Sequence, residues 1–443
     1  MANNPTTASS GPSSSAATTA AGENINKLVC TAVLPLQPKT IQSKSNNTDE
    51  ATTTTTTLTF IEHQPAWSLD FSPDGGSHLA VCYGAPHPCI RLFAACSSSN
   101  EACWHRTATL VGMQARTIRC VAFAPIQRPL TLAAASFDGT IAIWEQQEQK
   151  QQNQNSSSSG MSNGGHEEEV WDCVAQLEGH ENEGKHVAWN ATGTLLASCG
   201  RDKTVWIWEA FLNGSIGGPS GDAAAADFEC LSVLNGHEGD VKCVVFAPSH
   251  EQWGDGDEIV LSGSYDHTIR IWAEDAGDWF CAAVLDAVHD ATVWSLTVAP
   301  SGRRFLSASA DQSLAIHRCY STAVEEKKQR GGASGTTNVM KQKSKPKWQC
   351  VGTLPNAHAS VVYHIDYAPS RAGHGRVVSA GADSAIRVYR EAIAAGDAPQ
   401  FSIDATASVE GGDIHCVKWH PWDGGILASA EDSGAVRIWK YTA

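Results

Sequence analysis

Ser198, Asp202 and Trp208 recur 64 residues later, at the same spacing, as Ser262, Asp266 and Trp272, and each set follows a Gly-His pair, Gly179-His180 and Gly236-His237. A hydroxyl, an imidazole and a carboxylate could together perform acyl transfer, with Ser as nucleophile, His as base and Asp as orienting group. An active site needs one such set. Here the set repeats, and each carboxylate is accounted for by holding its own turn, so no catalytic residue is assigned. The expected chemistry is a structural relay, in which the indole N–H donates to the hydroxyl, the hydroxyl to imidazole and imidazole to carboxylate. The fourteen cysteines include no Cys-x-x-Cys, and the even spacing of Cys82, Cys89, Cys96 and Cys103 fits no metal site. They are expected to be free thiols in a reducing compartment, with no metal ligand and no bound cofactor.

A relay of this kind needs a loop, two strands and a turn to present its members. Anchored on a third-strand aromatic, the series runs Phe93, Trp144, Trp208, Trp272, His317, Tyr389 and Trp439, with His317 standing in for the aromatic. First strands end in Phe71, Phe123, Trp189, Phe246, Val298, Tyr367 and Trp419, most followed by a Pro, and several outer strands carry aromatic-x-Cys, as in Trp171-Asp-Cys173 and Trp279-Phe-Cys281. Short apolar runs at regular spacing predict an all-β, seven-bladed propeller. Its ring is expected to close by an N-terminal outer strand, Leu28–Leu34, beside Val436–Trp439. Three units depart from the pattern: His87 takes the Asp slot of unit one, unit two lacks Gly-His, and Ser433 takes the Asp slot of unit seven.

Residues 1–24 read as a disordered Ser/Thr/Ala-rich tail and residues 25–443 as the propeller. Low-complexity insertions are expected at about 39–57, 146–169, 210–226 and 321–347, where too little apolar surface exists to offset ordering entropy. The net charge of −16 disfavours nucleic acid and anionic membranes as partners. No run of 18 apolar residues offers a membrane span, and the leader lacks a secretory pattern, so the expected compartment is the cytosol.

Function in a propeller sits on its faces. The residue four before the end of each first strand should point to the rim of the channel, giving Trp67, Arg119, Lys185, Lys242, Trp294, Tyr363 and His415. A second ring precedes the turn Asp, namely Pro86, Phe137, Arg201, Tyr265, Ala310, Ala382 and Asp432, where only Arg201 is basic. Four cations beside Trp and Tyr suit a docking surface for an acidic, aromatic-bearing segment.

The stretch from Val170-Trp-Asp-Cys-Val-Ala-Gln-Leu-Glu-Gly-His180 to Leu195-Leu-Ala-Ser-Cys-Gly-Arg-Asp-Lys-Thr-Val-Trp-Ile-Trp-Glu209 resembles the third blade of the cytosolic iron–sulfur protein assembly WD40 family. Ala134–Thr140, Asp290–Leu296 and Val436–Tyr441 are similar to other blades of that family, and the likeness spans about residues 60–443 without the insertions. The resemblance implies a non-enzymatic scaffold. With a HEAT-repeat scaffold and a small adaptor, such a protein would target [4Fe–4S] clusters to cytosolic and nuclear apoproteins, meeting an iron-only-hydrogenase-like cluster carrier. It also implies that Arg201 belongs to a functional surface. Glu183-Gly184 departs from the family's usual Glu-Val, and Ile271-Trp-Ala273 stands where some members carry Leu-Tyr-Arg. The competing reading is a generic WD40 adaptor, such as a ubiquitin-ligase substrate receptor or chromatin-complex subunit. That reading calls for a recruiting segment, which the N-terminus does not supply.

Overall fold

In the computed structural model the described residues are 27–34, 39–41, 58–60, 64–96, 103–125, 129–147, 168–212, 226–249, 256–320, 347–369, 375–392, 400–410 and 412–442. They form seven four-stranded antiparallel sheets, each a blade. First strands begin at Ala66, Ile118, Gly184, Val241, Val293, Val362 and Ile414, and contact one another in sequence, with the last strand meeting the first to complete the ring. Alternation explains the layering, since side chains on successive residues point to opposite faces of a strand. Second strands such as His78–Tyr83 and Thr131–Ser136 are buried along their whole length because both faces meet neighbouring blades. The core therefore lies between blades; one cluster joins Ile90 and Leu92 of blade one to Ile118, Val121 and Leu132 of blade two.

Blade seven draws its strands from both ends of the chain. Lys27–Leu34 pairs antiparallel with Val436–Thr442, from Lys27 opposite Thr442 to Leu34 opposite Val436, which is the expected closure. Thr31 is the extra residue of a bulge, and its hydroxyl donates to the Ile438 carbonyl at 3.1 Å. Every other blade's outer strand shifts register at the same place, one residue past the partner of the third-strand aromatic. Bulges there add the twist that a propeller blade needs.

Two expectations need correction. The segment 39–57 begins with a short strand, Lys39–Ile41, paired to Leu58–Phe60; Gln146 and residues 210–212 likewise belong to or adjoin strands. The 1–24 tail and most of the remaining insertion residues lie outside the described residues. Nor are all thiols free. Cys96 and Cys103, at the ends of neighbouring strands with Cα atoms 5.3 Å apart, form a disulfide, because the hairpin between them closes what sequence spacing kept apart.

Candidate functional site

Both repeated sets assemble. Trp208 Nε1–H donates to Ser198 Oγ (3.0 Å), which meets His180 Nε2 (2.9 Å), whose Nδ1 meets Asp202 Oδ2 (2.8 Å). In blade four the distances are 2.8 Å for Trp272 to Ser262, 2.7 Å for Ser262 to His237 and 2.8 Å for His237 to Asp266. Each carboxylate also accepts from the backbone N–H after the His and from a Thr two residues on, Thr204 or Thr268. Burial opposes ionisation of Asp202 and Asp266, but the hydrogen bond from His and those from Thr outweigh it and hold both below the usual carboxylate range. Four hydrogen bonds to each carboxylate thus hold its turn and orient its imidazole.

Two further relays went unread in the sequence. His289 joins Ser307 (2.7 Å) and Asp311 (2.9 Å), with His317 Nε2 at 2.9 Å from the same hydroxyl; His358 joins Ser379 (2.6 Å) and Asp383 (2.8 Å). Requiring Gly before the His hid them. A Cβ on Gly179 would lie 2.5 Å from the Trp206 ring and one on Gly236 2.7 Å from Arg270, so in blades three and four the Gly answers to a close third-strand neighbour, while blade six carries Ala357 there with Arg387 in the same slot. Blade five has Ala315 in that slot and accepts Val288 before its His. The Ser-x-x-x-Asp spacing alone would have found both. In blade two Ala134 replaces the Ser, and the buried Trp144 N–H has no acceptor among the described residues.

Asp266→Ala removes the acceptor for His237, Thr268 and the Glu238 N–H. It should cost on the order of 1–3 kcal/mol and lower the melting temperature by a few degrees while partner capture per folded molecule stays constant. Thermal denaturation and capture measured on one preparation check this. Unchanged melting with lost capture would move Asp266 to the surface site.

The rim residues Trp67, Arg119, Lys185, Lys242, Trp294, Tyr363 and His415, one from each blade, line a single cavity of about 490 Å³ at the channel mouth, with Phe137, Gly412, Asp413 and Asp432. The cations are not free charges. Glu183 Oε2 takes Lys185 Nζ at 2.6 Å, and Asp240 takes Lys242 at 3.0 Å. Lys185 also lies 4.1 Å from the centroid of Phe137, Lys242 5.2 Å from that of Trp294, and Arg119 5.0 Å from that of Trp67. Burial pulls the Lys185 pKa down, partly offset by Glu183.

Arg201 stands outside the cavity lining. Its Nη1 lies 3.5 Å from Glu183 Oε1, which Arg116 also approaches at 3.2 Å, so one carboxylate gathers three cations. Burial resists the charge on Glu183, yet the Lys185 hydrogen bond with the Lys185, Arg201 and Arg116 charges lowers its pKa. The Arg201 side chain remains 53% exposed.

A family profile described as "WD domain, G-beta repeat" matches residues 104–145, 171–209, 228–273 and 279–318. Together with the seven closed blades and their relays, this makes the molecule a WD40 propeller. Among its relatives, the probable cytosolic iron-sulfur protein assembly protein 1 of Botryotinia fuckeliana is 34% identical over 74% of this chain and 79% of the relative. The protein of that name in Candida glabrata is 32% identical over 86% of this chain and 96% of the relative, and that of Neurospora crassa 28% over 78% and 83%. The chain belongs to the cytosolic iron-sulfur protein assembly protein 1 family.

Proposed function

We propose that this chain is a non-enzymatic scaffold of the cytosolic iron–sulfur assembly machinery, docking proteins so that [4Fe–4S] clusters enter cytosolic and nuclear apoproteins. The observation that carries this reading is identity sustained along nearly the whole length of a relative that bears the assembly name. Its partners would be a HEAT-repeat scaffold, a small adaptor, an iron-only-hydrogenase-like cluster carrier and the client apoproteins. It would work in the cytoplasm, with a nuclear pool. The relays support a scaffold over an enzyme, since their serine hydroxyls are fully buried and each is already held between an indole N–H and an imidazole.

Docking would use the channel mouth and the adjoining Arg201, Arg116 and Glu183 cluster. A 53% exposed guanidinium 3.5 Å from one carboxylate contributes little to folding, on the order of 0–1 kcal/mol. Arg201→Glu should therefore melt within a degree or two of the parent. It should associate more slowly with the purified small adaptor or HEAT-repeat scaffold, with weakened dependence on salt. Stopped-flow association and melting on the same variant separate the roles. Normal association with reduced stability would leave Arg201 a structural partner of Glu183.

A further inference from the structure

Two residues before each rim position lies a slot that holds an acid in blades three, four and seven, Glu183, Asp240 and Asp413. Lys185 and Lys242 take theirs as ion pairs at 2.6 and 3.0 Å, and Asp413 meets the Tyr363 hydroxyl at 3.1 Å. The blades whose rim residue is Trp or Tyr carry Pro65, Thr292 and Val361 there, and their rings need no acid. Blade two breaks the pattern. Its rim residue is the cation Arg119, yet its slot holds Thr117, whose hydroxyl accepts the Ala85 N–H at 3.1 Å.

A guanidinium carries five N–H donors in a rigid plane. Arg119 uses Nη1 on the Trp67 main-chain carbonyl at 3.4 Å, and the guanidinium carbon lies 5.0 Å from the Trp67 ring centroid. Among the described residues it has no other bonded partner and no ion pair. Asp413 and Asp432 line the same cavity, but Asp413 bonds Tyr363, and Asp432 approaches His415 Nε2 at 3.5 Å. The contact with Trp67 fixes the plane of the fork, and a carboxylate offers two oxygens at the spacing that such a fork matches. The cavity of about 490 Å³ has room for an inserted side chain. Arg116, three residues before Arg119 and with its side chain 57% exposed, continues the cationic surface from the mouth to Glu183 and Arg201. That extent suits a segment of chain better than a small anion.

From this exception we propose that Arg119 receives a side-chain carboxylate of the docked partner segment, both oxygens on the guanidinium fork and the stem against the rings of the channel mouth. Arg116 and Arg201 then meet acids that flank it outside the cavity. The proposal rests on the docking reading above and assigns the inserted acid to Arg119 rather than to Arg201.

The test is selection of random dodecapeptides displayed on phage against the purified full chain, followed by titration of the synthesised binders on the parent, Arg119→Gln and Thr117→Asp. The expected binders share an Asp or Glu whose replacement by Asn or Gln weakens binding to the parent by about tenfold or more. On Arg119→Gln the same replacement should change little, because the partner of that acid is gone. Thr117→Asp should act alike. It supplies in blade two the acid that blades three and four already carry, engages Arg119 from within, and weakens the acidic peptide while sparing its amide counterpart. A misfolded variant would lose both peptides, so the amide peptide separates the two causes. Binders with no such acid, or with an acid that matters equally on all three proteins, overturn the proposal, and the docking reading survives if Arg201→Glu weakens them. Binders indifferent to Arg201→Glu as well as to both other variants, or no binders at all, overturn both readings.

Discussion

Deleting residues 1–34 is expected to abolish cooperative folding, the largest effect any single change to this chain should produce. The deletion strips the outer strand from blade seven and exposes the edge of Val436–Thr442. It also uncovers both seams beside that blade. Leu34 is buried among Ala66, Phe71 and Leu79 of blade one, and Leu28 and Cys30 pack against the cluster that holds Trp419 and Trp439. Seven lost backbone pairings and two opened cores remove on the order of 5 kcal/mol or more, comparable with the whole stability of a typical domain. An unpaired edge also invites aggregation. Near-ultraviolet circular dichroism and size-exclusion chromatography should show lost tertiary signal and large species, and a synthetic peptide of residues 25–36 should restore part of the signal. Deleting residues 1–24, which keeps every described strand, is the control. A monomeric, cooperatively melting product of the longer deletion would contradict the closure.

Acid should weaken the fold well before carboxylates ordinarily titrate. Burial lowers the pKa of His186, His237, His317, His358, His364, His415 and His420, with His186 and His317 near 3 and His415 near 4. Below pH ~6.5 the unfolded chain binds protons at these rings and the native chain does not, so stability falls with pH. Three acids act in the opposite direction. Burial raises Asp70, Glu431 and, to about 6, Asp366, each native carboxyl taking a proton before its unfolded counterpart. Seven imidazoles outweigh three carboxyls. An imidazole kept neutral to about pH 3 costs on the order of 2 kcal/mol at pH 5, and the melting temperature should drop by on the order of 10 °C between pH 7 and pH 5. The relay carboxylates Asp202, Asp266, Asp311 and Asp383, whose pKa values are lowered, add a second loss below pH ~4. His317→Phe should remove about one proton from the slope between pH 6.5 and 5. An unchanged slope would show that His317 is already charged in the native chain.

The ring, its closure and two relays were legible because each rests on a short repeat whose spacing is set by strand geometry. Leu28–Leu34 was readable as a strand from its apolar content, and no other partner position was left for it. The relays of His289 and His358 were hidden by a Gly that serves Trp206 and Arg270 rather than the imidazole. The seven rim positions follow from register, and the structure gathers them around one cavity. Their charge balance was misjudged because each Lys pairs with an acid two residues earlier, just before its strand begins, Glu183 with Lys185 and Asp240 with Lys242, while the sequence reading counted cations alone. The i, i+2 spacing held that information. The Cys96–Cys103 bond carried no comparable signal, because it depends on a hairpin whose ends only the folded blade brings together.

The most direct test of the scaffold function is to deplete the endogenous protein from cells. A cytosolic [4Fe–4S] enzyme and a mitochondrial one are then assayed together, with and without the full chain returned. The account predicts that cytosolic activity falls, that mitochondrial activity holds, and that wild type restores the loss while Arg201→Glu restores it poorly. Cytosolic activity unaffected by depletion, or a parallel fall in the mitochondrial enzyme, would contradict it.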